Sequence, residues 1–254
     1  MLFHPTLDKL QKMKLIGMAA ALTDQMSIPG SDEMSFEERL GLLVDRELTE
    51  RTNRQLAARL RRARLKHQAA LEDIDYRAPR GLDKGLMQSL ASCRWVAEKR
   101  NVLITGPTGV GKTWLGCALA HKACREGYGA LYVRFPTLLQ ELVIAKGDGQ
   151  YARRLAALAR IDVLLIDDWG LAKLSAENRR DLLEILEDRY DCRSTVVTSQ
   201  LTVDHWHESI GDSTLADAIL DRLVHNAYRI NLKGESMRKR RSTIELPTDP
   251  GESA

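Results

Sequence analysis

The segment Gly106-Pro107-Thr108-Gly109-Val110-Gly111-Lys112-Thr113 leaves this chain little freedom of fold. It satisfies the pattern G-x-x-x-x-G-K-[ST], and its flanks complete the picture. Val102-Leu103-Ile104-Thr105 reads as a short buried strand, and Trp114 to Arg125 reads as a helix. A strand has to deliver such a loop. Its glycines let backbone N–H groups approach phosphate oxygens, and the start of the helix adds partial positive charge. Lys112 then reaches the β- and γ-phosphates of a nucleotide, and the Thr113 hydroxyl ligates Mg²⁺.

From Leu86 onward the pattern alternates between strand and helix, which predicts a parallel α/β sheet. Strands are expected at 102–105, 130–134, 162–166, 194–198 and 228–231. Helices are expected over about 112–126, 137–158 with an interruption at Gly147, 176–191 and 214–226. Upstream, Leu7 to Met26 shows helical spacing and Ile28-Pro29-Gly30-Ser31 ends it. Ser35-Phe36-Glu37-Glu38 fits a capping box that starts a second helix. Its apolar residues Phe36, Leu40, Leu43, Val44, Leu48, Leu56 and Leu60 predict a packed face. The expected domains are a helical N-terminal domain over 1–72, a linker over 73–85 with Pro79 and Gly81, an ATPase-type domain over 86–242 and a flexible tail over 243–254.

Charged residues make up 29% and hydrophobic residues 44%, ordinary for a globular chain. No apolar run approaches the roughly 18 residues that span a bilayer. The N-terminus lacks a basic stretch followed by an apolar one, so no signal peptide is expected. Cys93, Cys117, Cys124 and Cys192 form no C-x-x-C pair, and core packing accounts for them better than a metal does. A cytoplasmic location fits these features. The net charge of +3 says little, but its distribution says more. Arg51, Arg54, Arg59, Arg61, Arg62, Arg64 and Lys66 follow one another without an intervening acid. Exposed helices usually mix signs, so the stretch is a candidate polyanion footprint. A second cluster comprises Lys233, Arg238, Lys239, Arg240 and Arg241.

The apolar run Val163-Leu164-Leu165-Ile166 ends in Asp167-Asp168. An acid at the carboxyl end of a buried parallel strand faces the same crevice as the P-loop. Asp167 would hold Mg²⁺ and Asp168 would orient or deprotonate the attacking water. The next strand ends in Thr198-Ser199-Gln200. A polar group there senses the γ-phosphate or holds the water, and ordinary turn chemistry is the competing explanation. Arg222 is either a solvated helix arginine or an arginine finger.

Taken in order, the P-loop, Asp167-Asp168, the polar strand end, Leu220-Asp221-Arg222-Leu223 and Gly234-Glu235-Ser236-Met237-Arg238 resemble the AAA+ ATPases of the helicase-loader branch. Within it the chain resembles most the IstB family, the ATPase partners of insertion-sequence transposases. Residues 45–60 and Tyr76 to Lys84 carry the same resemblance, which spans roughly residues 5–242. It implies a three-layer P-loop NTPase fold with a five-stranded parallel sheet and a small all-α N-terminal domain. It implies that Gly106, Pro107, Thr108, Gly109, Val110, Gly111, Lys112 and Thr113 hold ATP, with Thr113 and Asp167 on Mg²⁺. Gln200 would be sensor 1 and Arg238 a sensor-2-like residue. Arg222 would complete the site of an adjacent subunit in a homo-oligomer. Two departures stand out. The usual acidic pair of AAA+ proteins is Asp-Glu, so the shorter Asp168 implies slow hydrolysis. About 32 residues follow Arg222, too few for the usual lid.

The resulting expectation is an ATPase that oligomerises with ATP, binds target duplex DNA through the basic stretch and recruits or activates a transposase. A DnaC-like helicase loader shares the core and differs in partner. A small-molecule kinase would need an acceptor motif that is not recognisable here. A non-catalytic ATP-dependent scaffold stays open because of Asp168.

Overall fold

The computed structural model describes residues 5–30 and 33–237. The chain divides into two compact units, 1–59 and 60–254. The first contains α1 (Pro5–Lys12), α2 (Ile16–Ser27) and most of α3 (Phe36–Ala63), a 28-residue helix whose last turn belongs to the second unit. The second continues with α4 (Lys84–Ala91), α5 (Arg94–Ala97), β1 (Asn101–Thr105) and α6 (Lys112–Arg125). There follow β2 (Ala130–Arg134), α7 (Phe135–Gly147), α8 (Tyr151–Arg160) and β3 (Val163–Trp169). The last elements among the described residues are α9 (Ala176–Arg189), β4 (Ser194–Ser199), α10 (Trp206–Ile210), α11 (Ser213–Val224) and β5 (Ala227–Asn231).

All five strands are parallel, in the order β2-β3-β4-β1-β5. Side chains on a strand alternate between faces, so the unbroken apolar run of β3 needs cover on both. On one face, Leu164 and Ile166 join Leu103, Val133 and Val197 in a core completed by α7, α9 and α11. On the other, Leu165 meets Gly116 of α6, where an added Cβ would lie 2.9 Å from Leu165 Cδ1. Glycine at 116 therefore lets the P-loop helix sit close on the sheet.

In the first unit the helix expected over 7–26 is two helices. Lys14 takes φ 59°, and Leu15 N–H donates to Leu10 O at 2.9 Å. This is a left-handed C-cap built on lysine instead of the usual glycine, so the sequence carries no breaker there. The capping box forms as expected, with Ser35 N–H donating to Glu38 at 2.8 Å and Glu38 N–H to Ser35 Oγ at 3.2 Å. Gly17 lets α2 approach α3: a Cβ there would lie 2.7 Å from Arg46 O. The expected packed face of α3 is corrected. Phe36 is 68%, Val44 50% and Leu48 64% exposed, because α2 packs instead against the turn that carries the buried Glu47.

Residues 73–85, expected to be a linker, include the buried Ile74, Ala78 and Arg80. Arg80 O accepts from Lys233 N–H at 2.9 Å, which ties the segment to the chain beyond β5.

At the amino ends of the strands the buried Arg189 joins three elements. It donates to Leu158 O at 2.6 Å, Ile161 O at 2.8 Å, Thr195 Oγ1 at 3.1 Å and Ser194 O. Replacing it leaves those buried acceptors without partners. Arg189→Met is expected to destabilise the second unit by about 2–4 kcal/mol, the scale of two or more unsatisfied buried groups. Urea denaturation followed by circular dichroism checks this; an unchanged midpoint would refute it.

Candidate nucleotide site

β1 ends at Thr105 and the P-loop starts at Gly106. Gly106, Gly109 and Gly111 have φ of 145°, 87° and 97°, values that glycine adopts without strain. Residues 232–237 run beside the loop. Leu232 N–H donates to Thr105 O at 2.8 Å, and Met237 N–H to Gly109 O at 2.9 Å. A Cβ on Gly106 would lie 2.3 Å from Leu232 O, and one on Gly109 2.2 Å from Ser236 Oγ. The glycines thus serve this packing as well as phosphate approach, which accounts for the conformation of Gly234-Glu235-Ser236-Met237.

Lys112 begins α6 and is buried. Its Nζ donates to Gly106 O and Pro107 O, both at 2.7 Å. Burial lowers its pKa, while Asp167 and Asp168 favour the ammonium. Thr113 Oγ1 donates to Asp167 Oδ1 at 2.7 Å. Asp167 is completely buried on β3. Its Oδ1 also accepts from Thr198 Oγ1, its Oδ2 accepts from Tyr132 OH at 2.8 Å, and Lys66 Nζ stands 3.7 Å from Oδ2. Burial and that carboxylate raise the Tyr132 pKa, so its phenol stays a donor.

Asp168 has other partners. Arg134, at the end of β2, reaches its Oδ2 with Nε at 3.1 Å and Nη2 at 3.0 Å. Asp168 has φ 64°, and the β3–β4 register shifts between Ile166 and Trp169. A bulge of this kind re-aims a side chain at the rim of a sheet. Aspartate is among the few residues that tolerate the left-handed conformation, which gives a local reason for aspartate at 168. Beneath this pair, Trp169 stacks on Phe135 with centroids 4.8 Å apart and meets Trp206 at 5.2 Å.

β4 lies between β3 and β1, so its end opens between the two motifs. Thr198 bonds Asp167, and its Oγ1 accepts from Asp168 N–H at 3.4 Å. Ser199 Oγ donates to Trp169 O at 2.9 Å and is taken up in the turn. Gln200 is exposed and lines a cavity of about 310 Å³ together with Thr108, Lys112, Thr113 and Asp168.

Two further cations line that cavity, Lys66 and Arg80. The sequence groups Lys66 with the upstream arginines. The structure separates it, because Ala63 ends α3 fully buried and Arg64 turns the chain at φ 50°. Arg80 is 6% exposed; its Nη1 donates to Val110 O at 3.2 Å, and its Nε has no hydrogen-bond partner. Its one local signal was the Pro79-Arg80-Gly81 turn, where Gly81 has φ 69°.

Arg222 is not brought to this P-loop. Its backbone O accepts from Asn101 Nδ2 at 3.0 Å, at the start of β1, whereas the P-loop follows the end of that strand. Its side chain pairs with Glu187 and lies 3.5 Å from Asp221. Arg238, with Lys239, Arg240 and Arg241, lies outside the described residues. Arg51, Arg54, Arg61, Arg62 and Arg64 are exposed, and Arg59 is half-buried. Arg51 pairs with Glu47 at 2.6 Å and Arg54 with Glu50 at 3.8 Å. Among the described residues, Arg61, Arg62 and Arg64 make no ion pair.

The donor set fits a magnesium nucleotide. It offers a glycine cradle, a helix N-terminus, and a hydroxyl and carboxylate 2.7 Å apart. Among the described residues there is no cluster of three or more His, Cys, Asp or Glu that could hold a metal. Cys93, Cys117 and Cys124 are buried, and among the described residues they form no disulfide. Among the described residues no helix is long and apolar enough to cross a membrane.

Comparison with known proteins agrees with this geometry. The IstB-like ATP binding protein family matches residues 8–244. A Sinorhizobium fredii protein described as an insertion sequence ATP-binding protein is 56% identical over 239 residues, covering 94% of this chain and 98% of its own. The protein described as the IS21 ATP-binding protein of Pseudomonas aeruginosa is 32% identical, covering 90% of this chain and 86% of its own. Among solved structures, DnaI superposes with a TM-score of 0.56 at 25% identity over 65% of this chain and 91% of DnaI. The DnaC helicase loader gives 0.52 at 18% identity over 65% of this chain and 97% of its own, a likeness of fold. With its parallel five-stranded sheet and P-loop, the chain is an AAA+ ATP-binding protein and belongs to the IstB-like family of insertion-sequence ATP-binding proteins.

Proposed function

We propose that this protein is an ATP-dependent, DNA-binding regulator of transposition that assembles into homo-oligomers with ATP, holds target duplex DNA and recruits or activates a transposase. The observation that carries the reading is the run of exposed cations Arg61, Arg62 and Arg64, which make no ion pair among the described residues, in a chain with a nucleotide site and insertion-sequence relatives. Phosphate contacts of this kind give sequence-tolerant, salt-sensitive binding. A cytoplasmic location is part of the proposal.

Thr113 and Asp167 would hold Mg²⁺, which supplies charge neutralisation at the phosphates. Lys112 exchanges the Gly106 and Pro107 carbonyls for the γ-phosphate. Asp168 orients the attacking water once Arg134 releases it, and Gln200 sits at the cavity mouth to contact phosphate or water. Arg222 serves a neighbouring subunit. Arg238 is assigned to the nucleotide by family resemblance alone. The second reading, a helicase loader, is favoured by the likeness in fold to DnaC. Pull-downs against a transposase and a replicative helicase separate the two.

Lys112→Ala is expected to weaken Mg·ATP binding about 100-fold, the scale of one or two charge-assisted hydrogen bonds. Trp114 lines the cavity, so its fluorescence reports the titration. Arg222→Ala should leave that affinity unchanged and lose ATP-dependent assembly in sedimentation; a loss of binding instead would place Arg222 in its own chain's site. Asp168→Asn is expected to slow single-turnover hydrolysis about 100-fold, the lower end of general-base catalysis. Equal rates would mean that Asp168 does no chemistry. Arg61, Arg62 and Arg64 changed together to Glu should abolish duplex binding in filter assays and keep ATP binding. In the wild type, the log–log salt slope should exceed about 2.7 in magnitude, the value for three phosphate contacts; a flat salt response would sink the assignment.

A further inference from the structure

Asp167 has a hydroxyl donor on each oxygen, Thr113 and Thr198 on Oδ1 and Tyr132 on Oδ2. Beyond these, the Lys66 ammonium stands 3.7 Å from Oδ2. The Lys66 side chain is 41% exposed while the Asp167 side chain is fully buried, so the lysine reaches inward from the cavity wall. Its backbone is held in place. The Lys66 and His67 main chain lies against the Cys117 thiol of α6, and Ala63 and Ala69 on either side are buried. A cation bound by Thr113 and Asp167 would put positive charge on the same carboxylate that faces Lys66. The bound cation and the Lys66 ammonium would repel one another across that carboxylate, and the group free to move away is the exposed lysine head.

We infer that Lys66 is a built-in counter-ion that competes with Mg²⁺ for Asp167, and so sets the metal concentration at which the site holds nucleotide. The inference rests on the reading of the cavity as a magnesium-nucleotide site and adds regulation of that site. Lys66 is neither part of the P-loop nor of the Asp167-Asp168 strand end; it comes from the segment after α3. A basic stretch read as a uniform polyanion footprint therefore ends in a residue with a different task.

The test uses the full chain and a fluorescent N-methylanthraniloyl-ATP probe, titrated with MgCl₂ and read by polarisation. Lys66→Met is expected to lower the Mg²⁺ concentration for half-maximal binding about fivefold, the scale of one partly exposed charge pair. Lys66→Arg, which keeps the charge, should stay near the wild type. Lys66→Gln provides a second neutral variant should Lys66→Met melt early. An unchanged or raised Mg²⁺ midpoint in both folded neutral variants overturns the inference. So does a loss of probe affinity that is as large in EDTA as in Mg²⁺, which would make Lys66 a phosphate ligand. A wild type that binds no probe at any Mg²⁺ concentration overturns the site reading itself. A normal wild-type titration with unaltered variants overturns the Lys66 inference alone.

Discussion

The buried carboxylate of Asp167 is the fixed point of the nucleotide-binding unit. A carboxylate removed from water without partners costs several kcal/mol, so its environment has to supply donors. Here they come from separate elements, Thr113 from the P-loop helix, Tyr132 from β2 and Thr198 from β4, and Lys66 from the chain after α3 adds an ion pair at 3.7 Å. One side chain thereby sets the relative positions of three strand ends and the P-loop helix. The same four partners explain why the crevice is polar at its floor although the sheet below it is apolar.

The neighbouring position shows how packing overrides local preference. A left-handed residue costs about 1–2 kcal/mol outside glycine, less for aspartate. Burying an aromatic side chain contributes more, about 1.5–3 kcal/mol. Trp169 is 1% exposed and lies between Phe135 and Trp206. The stack therefore holds the bulge that turns Asp168 toward Arg134. Phe135 follows Arg134 as Trp169 follows Asp168, so the aromatic pair beneath and the ion pair above share one geometry.

What the sequence reveals here divides along physical lines. β3 is legible because a strand buried on both faces must be continuously apolar, and Val163 to Ile166 leave no other reading. The P-loop and Asp167 are legible because their chemistry is local in the chain. Lys14 is not, because its left-handed cap is made by backbone hydrogen bonds that any residue can offer. The exposed row Phe36, Val44 and Leu48 has helical spacing, but spacing alone does not say whether a partner covers it. Lys66, Arg80, Tyr132 and Arg134 are not legible as residues of the nucleotide cavity for a common reason. Each meets its partner across tens of residues, and no short pattern links a lysine after one helix to an aspartate on the third strand.

Sheet topology also constrains how Arg222 can take part in phosphoryl transfer. Asn101 binds the Arg222 carbonyl at one end of β1, and Gly106 starts the P-loop at the other. Five residues of parallel strand span roughly 16 Å. The Arg222 guanidinium is further turned toward Glu187 on α9, away from the crevice. A guanidinium so placed can meet a γ-phosphate only if that phosphate is carried by another molecule. A catalytic task for Arg222 and assembly of the chain into an oligomer are then one claim. Loss of assembly must carry with it any rate enhancement that Arg222 supplies, while the proposed nucleotide ligands Lys112, Thr113 and Asp167 all belong to one chain.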